Sequence, residues 1–318
     1  MRRLAALLAV TALATALAGC GLGAGDDKPG GIELTVSRNF GAEELGHSKR
    51  KKIDGGETVI RQLQRRFDVQ TRYGGGFVQQ IEGVAGGRRS GRPVDWFYYV
   101  NGIEAEQGAA SRRLKPGDRV WWDHHDWGAA MRIPAVVGSF PEPFASGTEG
   151  KKLPFRVDCA PDSRRACQEV RKRLELAGVE GGGTAVIGQQ AGAGVARIIV
   201  GRWADVRRDP AAQRIERGPQ ESGVFARFEA GGNRLALIEP RGRVTRTLGP
   251  GTGLIAATRF EDQQPTWVVT GTDGVGVAAA AASLDEERLR DHFALAIENG
   301  RGVPLPPPAG VTPAGATR

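Results

Sequence analysis

The densest group of chemically capable side chains is the segment WWDHHDW at residues 121–127. Imidazole and carboxylate groups bind metal ions such as zinc. Because side chains alternate across a strand, only Asp123 with His125, or His124 with Asp126, can share a face. Two ligands do not complete a site, so no metal is predicted. Two interpretations stay open: a strand end with covered tryptophans and solvated polar groups, or an aromatic platform for a ligand.

A second candidate is the loop GTDG at residues 271–274, which lies between an apolar strand pattern and the apolar residues 275–282. Backbone N–H groups at a junction of strand, loop and helix can bind an anion. The loop lacks the lysine and hydroxyl residue of a nucleotide-binding loop. Thr270, Thr272 and Asp273 are therefore candidate ligand contacts, with a plain turn as the alternative.

No arrangement of residues predicts catalysis. Ser222 lies in the sequence Glu-Ser-Gly, which is not the Gly-x-Ser-x-Gly turn of a hydrolase nucleophile. His47 and His292 have no partner at a useful spacing, and His292 falls on the exposed face of a predicted helix. The sequence therefore predicts a protein that is not an enzyme.

The segment at residues 121–127 continues a series of strand and turn patterns. Alternating or β-rich segments predict strands at residues 32–36, 77–84, 95–100 and 119–123. Asn101-Gly102 indicates a type I′ hairpin turn, and a Pro-Gly-Asp turn ends at Asp118. Apolar residues at three- and four-residue spacing predict one helix over residues 57–67. A mixed sheet covered by one helix is typical of a small β-grasp domain, here residues 32–127.

Three of these segments carry a family resemblance. They are ETV at residues 57–59, DWFYYVNG at residues 95–102 and LKPGDRVWW at residues 114–122. Together they resemble the bacterial family related to the C-terminal domain of transcobalamin, in which such a domain covers one face of a corrinoid. The resemblance implies a ligand-binding module and makes cobalamin or a related corrinoid the first ligand to consider. The platform residues would be Trp96, Tyr98, Trp121 and Trp122, with His124 or His125 as a polar contact.

The second half predicts an α/β sandwich domain at residues 153–302. A linker at residues 128–152 joins it to the first half and packs partly along the surface, because Ile133, Val136, Val137 and Phe140 are too apolar for a free coil. Strands are predicted at residues 155–157, 195–200, 224–228, 234–238 and 267–270. Helices are predicted at residues 163–177, 209–218 and 275–282, and from Ser283 with an apolar face of Leu289, Phe293 and Ile297. Residues 253–258 predict one helical turn. The Pro-rich residues 303–318 predict an extended or disordered tail.

The N-terminus carries an export pattern. An arginine pair at residues 2–3 precedes an apolar segment over residues 4–18, which is short for a membrane span. The segment ends in Leu-Ala-Gly before Cys20, and this end resembles the bacterial lipobox. That resemblance implies a signal peptide at residues 1–19 and diacylglycerol on Cys20, hence a lipid-anchored, extracytoplasmic protein of the cell membrane. The alternative is an ordinary signal peptide cut near Ala18.

Charge and cysteine content agree with export. Cleavage removes two arginines and no acid, which lowers the net charge from +8 to +6. Residues 49–52 are the one dense basic group, predicted as a loop facing solvent, anionic lipid or a wall polymer, and no nucleic-acid partner is expected.

The Gly-rich residues 20–31 predict a flexible tether. With Cys20 acylated, export favours a disulfide between Cys159 and Cys167 over a metal site.

These observations predict a lipid-anchored envelope protein that binds or presents a small ligand, first of all a corrinoid, to an uptake system. Its expected partners are the membrane and a transporter component. The alternative is a structural or protein-interaction lipoprotein whose aromatic residues all belong to the core.

Overall fold

A six-stranded sheet organises the N-terminal half of the chain. The structure is a computed structural model and describes residues 25–260 and 263–308. The strands of this half are β1 (Gly25–Arg38), β2 (Glu43–Gly55), β3 (Val69–Arg72), β4 (Phe77–Ile81), β5 (Val84–Ala85), β6 (Gly87–Arg89), β7 (Arg92–Val100), β8 (Ile103–Glu104) and β9 (Arg119–Asp126), and its helix is α1 (Val59–Gln64). The order is β2-β1-β9-β7-β6, with β8 paired to β7, whereas β3, β4 and β5 form a separate small sheet.

The first two strands form a long antiparallel pair, the β1–β2 ribbon. The predicted strand at residues 32–36 is confirmed as the centre of β1. Because β1 begins at Gly25, residues 25–31 are strand rather than flexible tether. The basic residues 49–52 belong to β2 and not to a loop. Since β2 is an edge strand, its lysines also discourage pairing with another chain. Cys20 and the predicted signal peptide lie outside the described residues.

Local turn and cap signals are confirmed. Asn101 and Gly102 have φ angles of 55° and 74°, the left-handed pair that a type I′ turn requires, and they join β7 to β8. The helix predicted over residues 57–67 is limited to α1, and Thr58 caps it by accepting a hydrogen bond from the Arg61 N–H. The buried side chains of α1 pack on one face of the sheet.

A seven-stranded sheet organises the C-terminal half. The strands of this half are β10 (Phe155–Cys159), β11 (Gly183–Val186), β12 (Ala196–Arg202), β13 (Ala226–Phe228), β14 (Leu235–Ile238), β15 (Val244–Leu248), β16 (Gly253–Thr258), β17 (Thr266–Gly271), β18 (Ala294–Glu298) and β19 (Arg301–Leu305). The helices are α2 (Arg164–Leu176), α3 (Trp203–Val206), α4 (Pro210–Glu216), α5 (Pro219–Ser222), α6 (Gly274–Ala282) and α7 (Glu286–Leu289). The order of the main sheet is β11-β10-β12-β17-β16-β18-β19. Helices α2 and α6 pack on one face, while α3, α4 and the small sheet β13-β14-β15 pack on the other.

Both halves mix helices with sheets, and strands predominate, as the sequence predicts at that level. The predicted start of α4 is confirmed, because the Asp209 side chain accepts a hydrogen bond from the Ala211 N–H and Pro210 occupies the first turn. Within residues 25–260 and 263–308, no helix has the length and hydropathy that crossing a membrane requires.

Residues 253–258 are a strand rather than a helical turn. They form β16, which lies between β17 and β18 and is buried along its whole length. A strand covered on both faces does not alternate apolar and polar residues, so its sequence lacks the usual strand signal.

The helix predicted from Ser283 is also wrong beyond its first turn. The structure has only α7, capped by Asp285 and not by Ser283, and Ala294 already begins β18. Asp291 separates the two with a left-handed φ of 58°. The tail predicted from residue 303 begins inside β19, which pairs with β18 as an edge strand and can therefore accommodate Pro304.

The linker predicted at residues 128–152 is buried more deeply than expected: Met131 is exposed, but most of the segment belongs to the core. Phe140 and Phe144 are at most 1% exposed and pack among residues of the seven-stranded sheet. Ile133 and Val136 lie in a second cluster with aromatic residues of the six-stranded sheet. The linker therefore joins the two cores.

Phe293, just before β18, packs against the N-terminal half. Its ring centroid lies 4.9 Å from that of Trp121, 5.5 Å from that of Tyr99 and 5.3 Å from that of Phe40. The face of the six-stranded sheet opposite α1 is thus covered by the C-terminal half.

Candidate functional site

The four aromatic residues of the expected platform are all buried. Trp96, Tyr98 and Trp122 lie on the face of the sheet that α1 covers, and Trp121 lies on the opposite face against Phe293. None is more than 8% exposed. The structure therefore brings three of them together inside one core and separates the fourth, and they form no aromatic surface open to a ligand.

The polar atoms of these side chains are used within the fold. Trp96 Nε1 donates to the Val84 carbonyl at 2.8 Å, and Tyr98 Oη donates to the Gln107 carbonyl at 2.5 Å. Trp121 Nε1 donates to the Ser37 hydroxyl at 2.8 Å. Burial raises the pKa of Tyr98 to about 12, so its hydroxyl stays a neutral donor. These contacts are structural.

The two neighbouring histidines point to opposite sides of β9, as alternation requires. His124 pairs through Nε2 with the Ala85 carbonyl at 3.1 Å, and burial lowers the pKa of His124. His125 Nδ1 lies 2.9 Å from Asp123 Oδ1, which confirms that these two share a side. Both histidines are at most 3% exposed, so the interpretation in which the polar groups of this strand end are solvated is wrong. Among the described residues, no group of three or more metal-ligating side chains occurs.

Asp123 is the centre of a buried hydrogen-bond network. Its carboxylate accepts from the Ser37 hydroxyl at 2.6 Å and from the backbone N–H groups of Phe40 and Gly41 at 3.0 and 2.9 Å. Because a carboxylate only accepts, His125 Nδ1 must carry the proton that it shares with Asp123. The four donors make burial of the charge tolerable and tie the β1–β2 turn to β9.

The GTDG loop is likewise satisfied by its own surroundings. Asp273 caps α6, with Oδ1 accepting from the Gly276 N–H at 2.9 Å and Oδ2 from the Gly251 N–H at 2.7 Å. Thr272 Oγ1 accepts from the Thr252 N–H at 3.1 Å. The backbone is also packed closely, since a Cβ at Gly276 would lie 2.1 Å from the Thr252 carbonyl oxygen. The loop therefore leaves no space for an anion at its backbone.

The predicted disulfide is confirmed. Cys159 at the end of β10 is bonded to Cys167 on α2, with Cα atoms 6.1 Å apart. The bond fixes the first helix of the C-terminal half to the first strand of its main sheet.

A cleft of about 420 Å³ separates parts of the two halves beside the end of β9. Phe40 and His125 line it, and Arg89, the last residue of β6, lies beside the turn to β7. The opposite wall consists of Arg241, from the turn between β14 and β15, and the prolines at residues 306–308. We call this the Arg89–Arg241 cleft. Its volume is in the range of small-molecule sites.

The cations of this cleft are not all paired. Arg92 forms an ion pair with Asp126 and donates to the Pro240 carbonyl at 3.4 Å, a contact between the two halves. Arg89 and Arg241 are exposed, and within the described residues neither has a carboxylate within 4.0 Å. Two guanidinium groups at one rim, one from each half, can bind an anion.

A smaller cleft of about 280 Å³ contrasts with this arrangement. There, Arg112 pairs with Glu149 at 2.8 Å and Arg259 pairs with Glu106 at 3.0 Å. Its cations are already neutralised, so the Arg89–Arg241 cleft is the stronger candidate site.

Apart from His124 and His125, which both line the cleft, sequence reasoning did not identify its residues. Arg89 belongs to a short arginine-rich turn, Arg241 follows a proline in another turn, and residues 306–308 lie in the predicted tail. Each is unremarkable alone, and more than 60 residues separate Arg241 from residues 306–308. The arginine-rich turn at residues 88–92 was the one local signal that could have led to the site.

Only part of the chain matches a known protein family. Residues 56–126 match a domain of unknown function, DUF4430. No curated protein matches the chain.

Two solved structures are similar over a small part of the chain. One is a "putative metal binding protein" from Ruminococcus gnavus ATCC 29149, with 12% identity and a TM-score of 0.23, covering 30% of this chain and 97% of that one. The other is haptocorrin in complex with Cbi, with 15% identity and a TM-score of 0.25, covering 31% of this chain and 26% of that one. Scores this low carry no argument about function.

Proposed function

We propose that this is a lipid-anchored envelope protein that binds a small anionic ligand in the Arg89–Arg241 cleft and presents it to an uptake system without converting it. The observation that carries the proposal is the pair of exposed arginines, one from each half, at the rim of a cleft with apolar and aromatic walls. Such a site suits a ligand with an apolar body and an anionic group.

The N-terminal half serves in this proposal as the ligand-binding module, β-grasp-like in arrangement, that the transcobalamin-like resemblance implies. The buried platform cannot hold a corrinoid, so a corrinoid would contact the cleft instead. Cobalamin is therefore one probe among several and not the assumed ligand.

Calorimetric titration tests the binding claim. The probes are inorganic phosphate, benzoate, 1-naphthyl phosphate and cobalamin. We expect saturable binding of 1-naphthyl phosphate that Arg89→Gln and Arg241→Gln each weaken by about 10- to 100-fold, because each removes a charge-assisted hydrogen bond. Arg208→Gln is the matched control, since Arg208 is also exposed and has no carboxylate within 4.0 Å among the described residues. Equal affinity in all variants would contradict the proposal.

A structural or interaction protein is the second candidate, favoured by the burial of Trp96, Tyr98, Trp121 and Trp122. It predicts no saturable binding of any probe. The anchor is tested separately: mass spectrometry of the membrane fraction should find diacylglycerol on an N-terminal Cys20, and an unmodified chain there would contradict it.

A further inference from the structure

We infer that one end of the N-terminal half lies on anionic lipid headgroups, an inference that rests on the proposed lipid anchor at Cys20. The surface consists of four cations and two aromatic residues on neighbouring elements. They are Lys51, Lys52, Arg61, Arg113, Tyr73 and Phe77. We call them the anchor-proximal surface.

Chain length brings this surface close to the bilayer. Gly25, where β1 begins, lies five positions after Cys20, and a chain of that length spans at most about 17 Å. Gly25 pairs with Gly55, and Pro29 pairs with Lys52, so this end of the β1–β2 ribbon stays within reach of the anchor. The early start of β1 thus replaces a long spacer with a short one.

The start of α1 lies beside the same end of the ribbon. Arg61 Nη1 contacts the Gly56 carbonyl at 3.5 Å, one residue beyond β2. Arg113 is carried by a segment that forms a β-bridge with Thr58, the cap of α1. Four exposed cations therefore surround the end of the ribbon that is nearest to the anchor.

These cations are available to a partner. Lys51, Lys52, Arg61 and Arg113 are exposed, and within residues 25–260 and 263–308 none has a described carboxylate within 4.0 Å. The paired cations nearby, Arg50 and Arg65, instead neutralise Asp54 and the buried Glu57. Even counting Asp26 and Asp27 from the sequence of β1, the end keeps a net positive charge.

Two exposed aromatic side chains border the cations. Tyr73 is 87% exposed and Phe77 is 39% exposed, on the hairpin between β3 and β4. The hairpin tip lies against α1, because a Cβ at Gly75 would be 3.9 Å from Ile60. Aromatic rings prefer the headgroup region of a bilayer, and each nearby cation strengthens binding to anionic lipid about fivefold.

Vesicle sedimentation tests the inference with the chain from Cys20 onward, which keeps every described residue, and with Cys20→Ser so that no acyl group contributes. The vesicles contain either 30% phosphatidylglycerol in phosphatidylcholine or phosphatidylcholine alone. We expect binding to the anionic vesicles only, weakened at least tenfold by the combined variant Lys51→Gln, Lys52→Gln, Arg61→Gln and Arg113→Gln. Raising the salt concentration should weaken it as well.

The control variant removes four exposed cations from the C-terminal half: Arg164→Gln, Arg165→Gln, Lys172→Gln and Arg208→Gln. An equal loss in this variant would show that overall charge, and not this surface, governs binding. Tyr73→Asn, which suits the left-handed backbone there, should lower binding by a smaller factor. Absence of preference for anionic vesicles would overturn the inference, whereas failure of the anchor itself is seen separately by mass spectrometry at Cys20.

Discussion

The interior around Asp123 and the rim of the Arg89–Arg241 cleft use charged side chains in opposite ways. Asp123 is fully buried and accepts four hydrogen bonds, while Arg89 and Arg241 are exposed and have no carboxylate partner among the described residues. A group with complete hydrogen bonds stabilises the fold and has nothing left for a ligand. The dense polar segment at residues 121–127 therefore forms an internal network, whereas the groups of the proposed binding site come from separate turns.

The comparison predicts its largest effect at Asp123. We expect Asp123→Ala to lower the free energy of unfolding by about 3–5 kcal/mol, because it leaves buried donors without an acceptor. Urea denaturation measures the change. Asp162→Ala is the control, since Asp162 is 76% exposed and its ion pair with Arg202 contributes less than about 1 kcal/mol. A loss as small as that of the control would show that the network is not essential.

The disulfide extends the comparison to the C-terminal half. Replacing Cys159 and Cys167 together by serine should cost about 2–3 kcal/mol of unfolding free energy, because the unfolded chain regains the freedom of a closed loop. Urea denaturation measures this loss. A second measurement compares the wild-type protein with and without a reductant, which gives the contribution of the disulfide independently. An unchanged midpoint in the variant would mean that the cross-link contributes nothing to stability.

Asp291 is the carboxylate that sharpens the contrast with Asp123. The carboxylate of Asp291 lies near Glu44 and accepts no hydrogen bond from the described residues. Burial raises the pKa of Asp291 to about 6, and the negative charge of Glu44 is the second cause of this rise. Since the folded pKa exceeds the ordinary value of 3.8, the folded protein binds this proton more tightly. The protonated Asp291 therefore contributes fully to the free energy of unfolding below about pH 4, and this contribution is lost as the pH rises through 6.

Asp291→Asn should remove this pH dependence. The variant should be more stable than the wild type by about 1–2 kcal/mol at pH 7.5, after allowance for partial solvent exposure, and nearly equal to it at pH 4. Asparagine also suits the left-handed φ of 58° at this position. Urea denaturation at both pH values measures the difference, and parallel pH profiles for the two proteins would refute the assignment.

The smallest effect on stability is expected at the cleft rim. Arg89→Gln and Arg241→Gln should each change the free energy of unfolding by less than about 0.5 kcal/mol, because neither side chain has an ion-pair partner to lose among the described residues. Urea denaturation beside the binding titrations separates the two quantities. A large loss of stability would mean that these arginines are structural, as Asp123 is.

Elements with strong local signals could be predicted from the sequence. Asn101-Gly102 and Asp209-Pro210 specify a turn and a helix start through their own backbone and side-chain chemistry, and both are observed. The missed elements depend on their neighbours instead. β16 is covered on both faces by other elements, and β19 forms as the partner of β18.

The candidate site was less predictable for the same reason. The segment at residues 121–127 suggested an exposed site because sequence does not show that α1 covers one face of β9 and Phe293 covers the other. The Arg89–Arg241 cleft requires two turns that meet only through packing of the two halves. Neither turn has a sequence pattern that predicts its proximity to the other.

A crystal structure of the protein with 1-naphthyl phosphate tests the central claim most directly. We predict the phosphate group within hydrogen-bond distance of both Arg89 and Arg241, with the ring against the prolines at residues 306–308. A ligand bound elsewhere, with the cleft empty, would contradict the account.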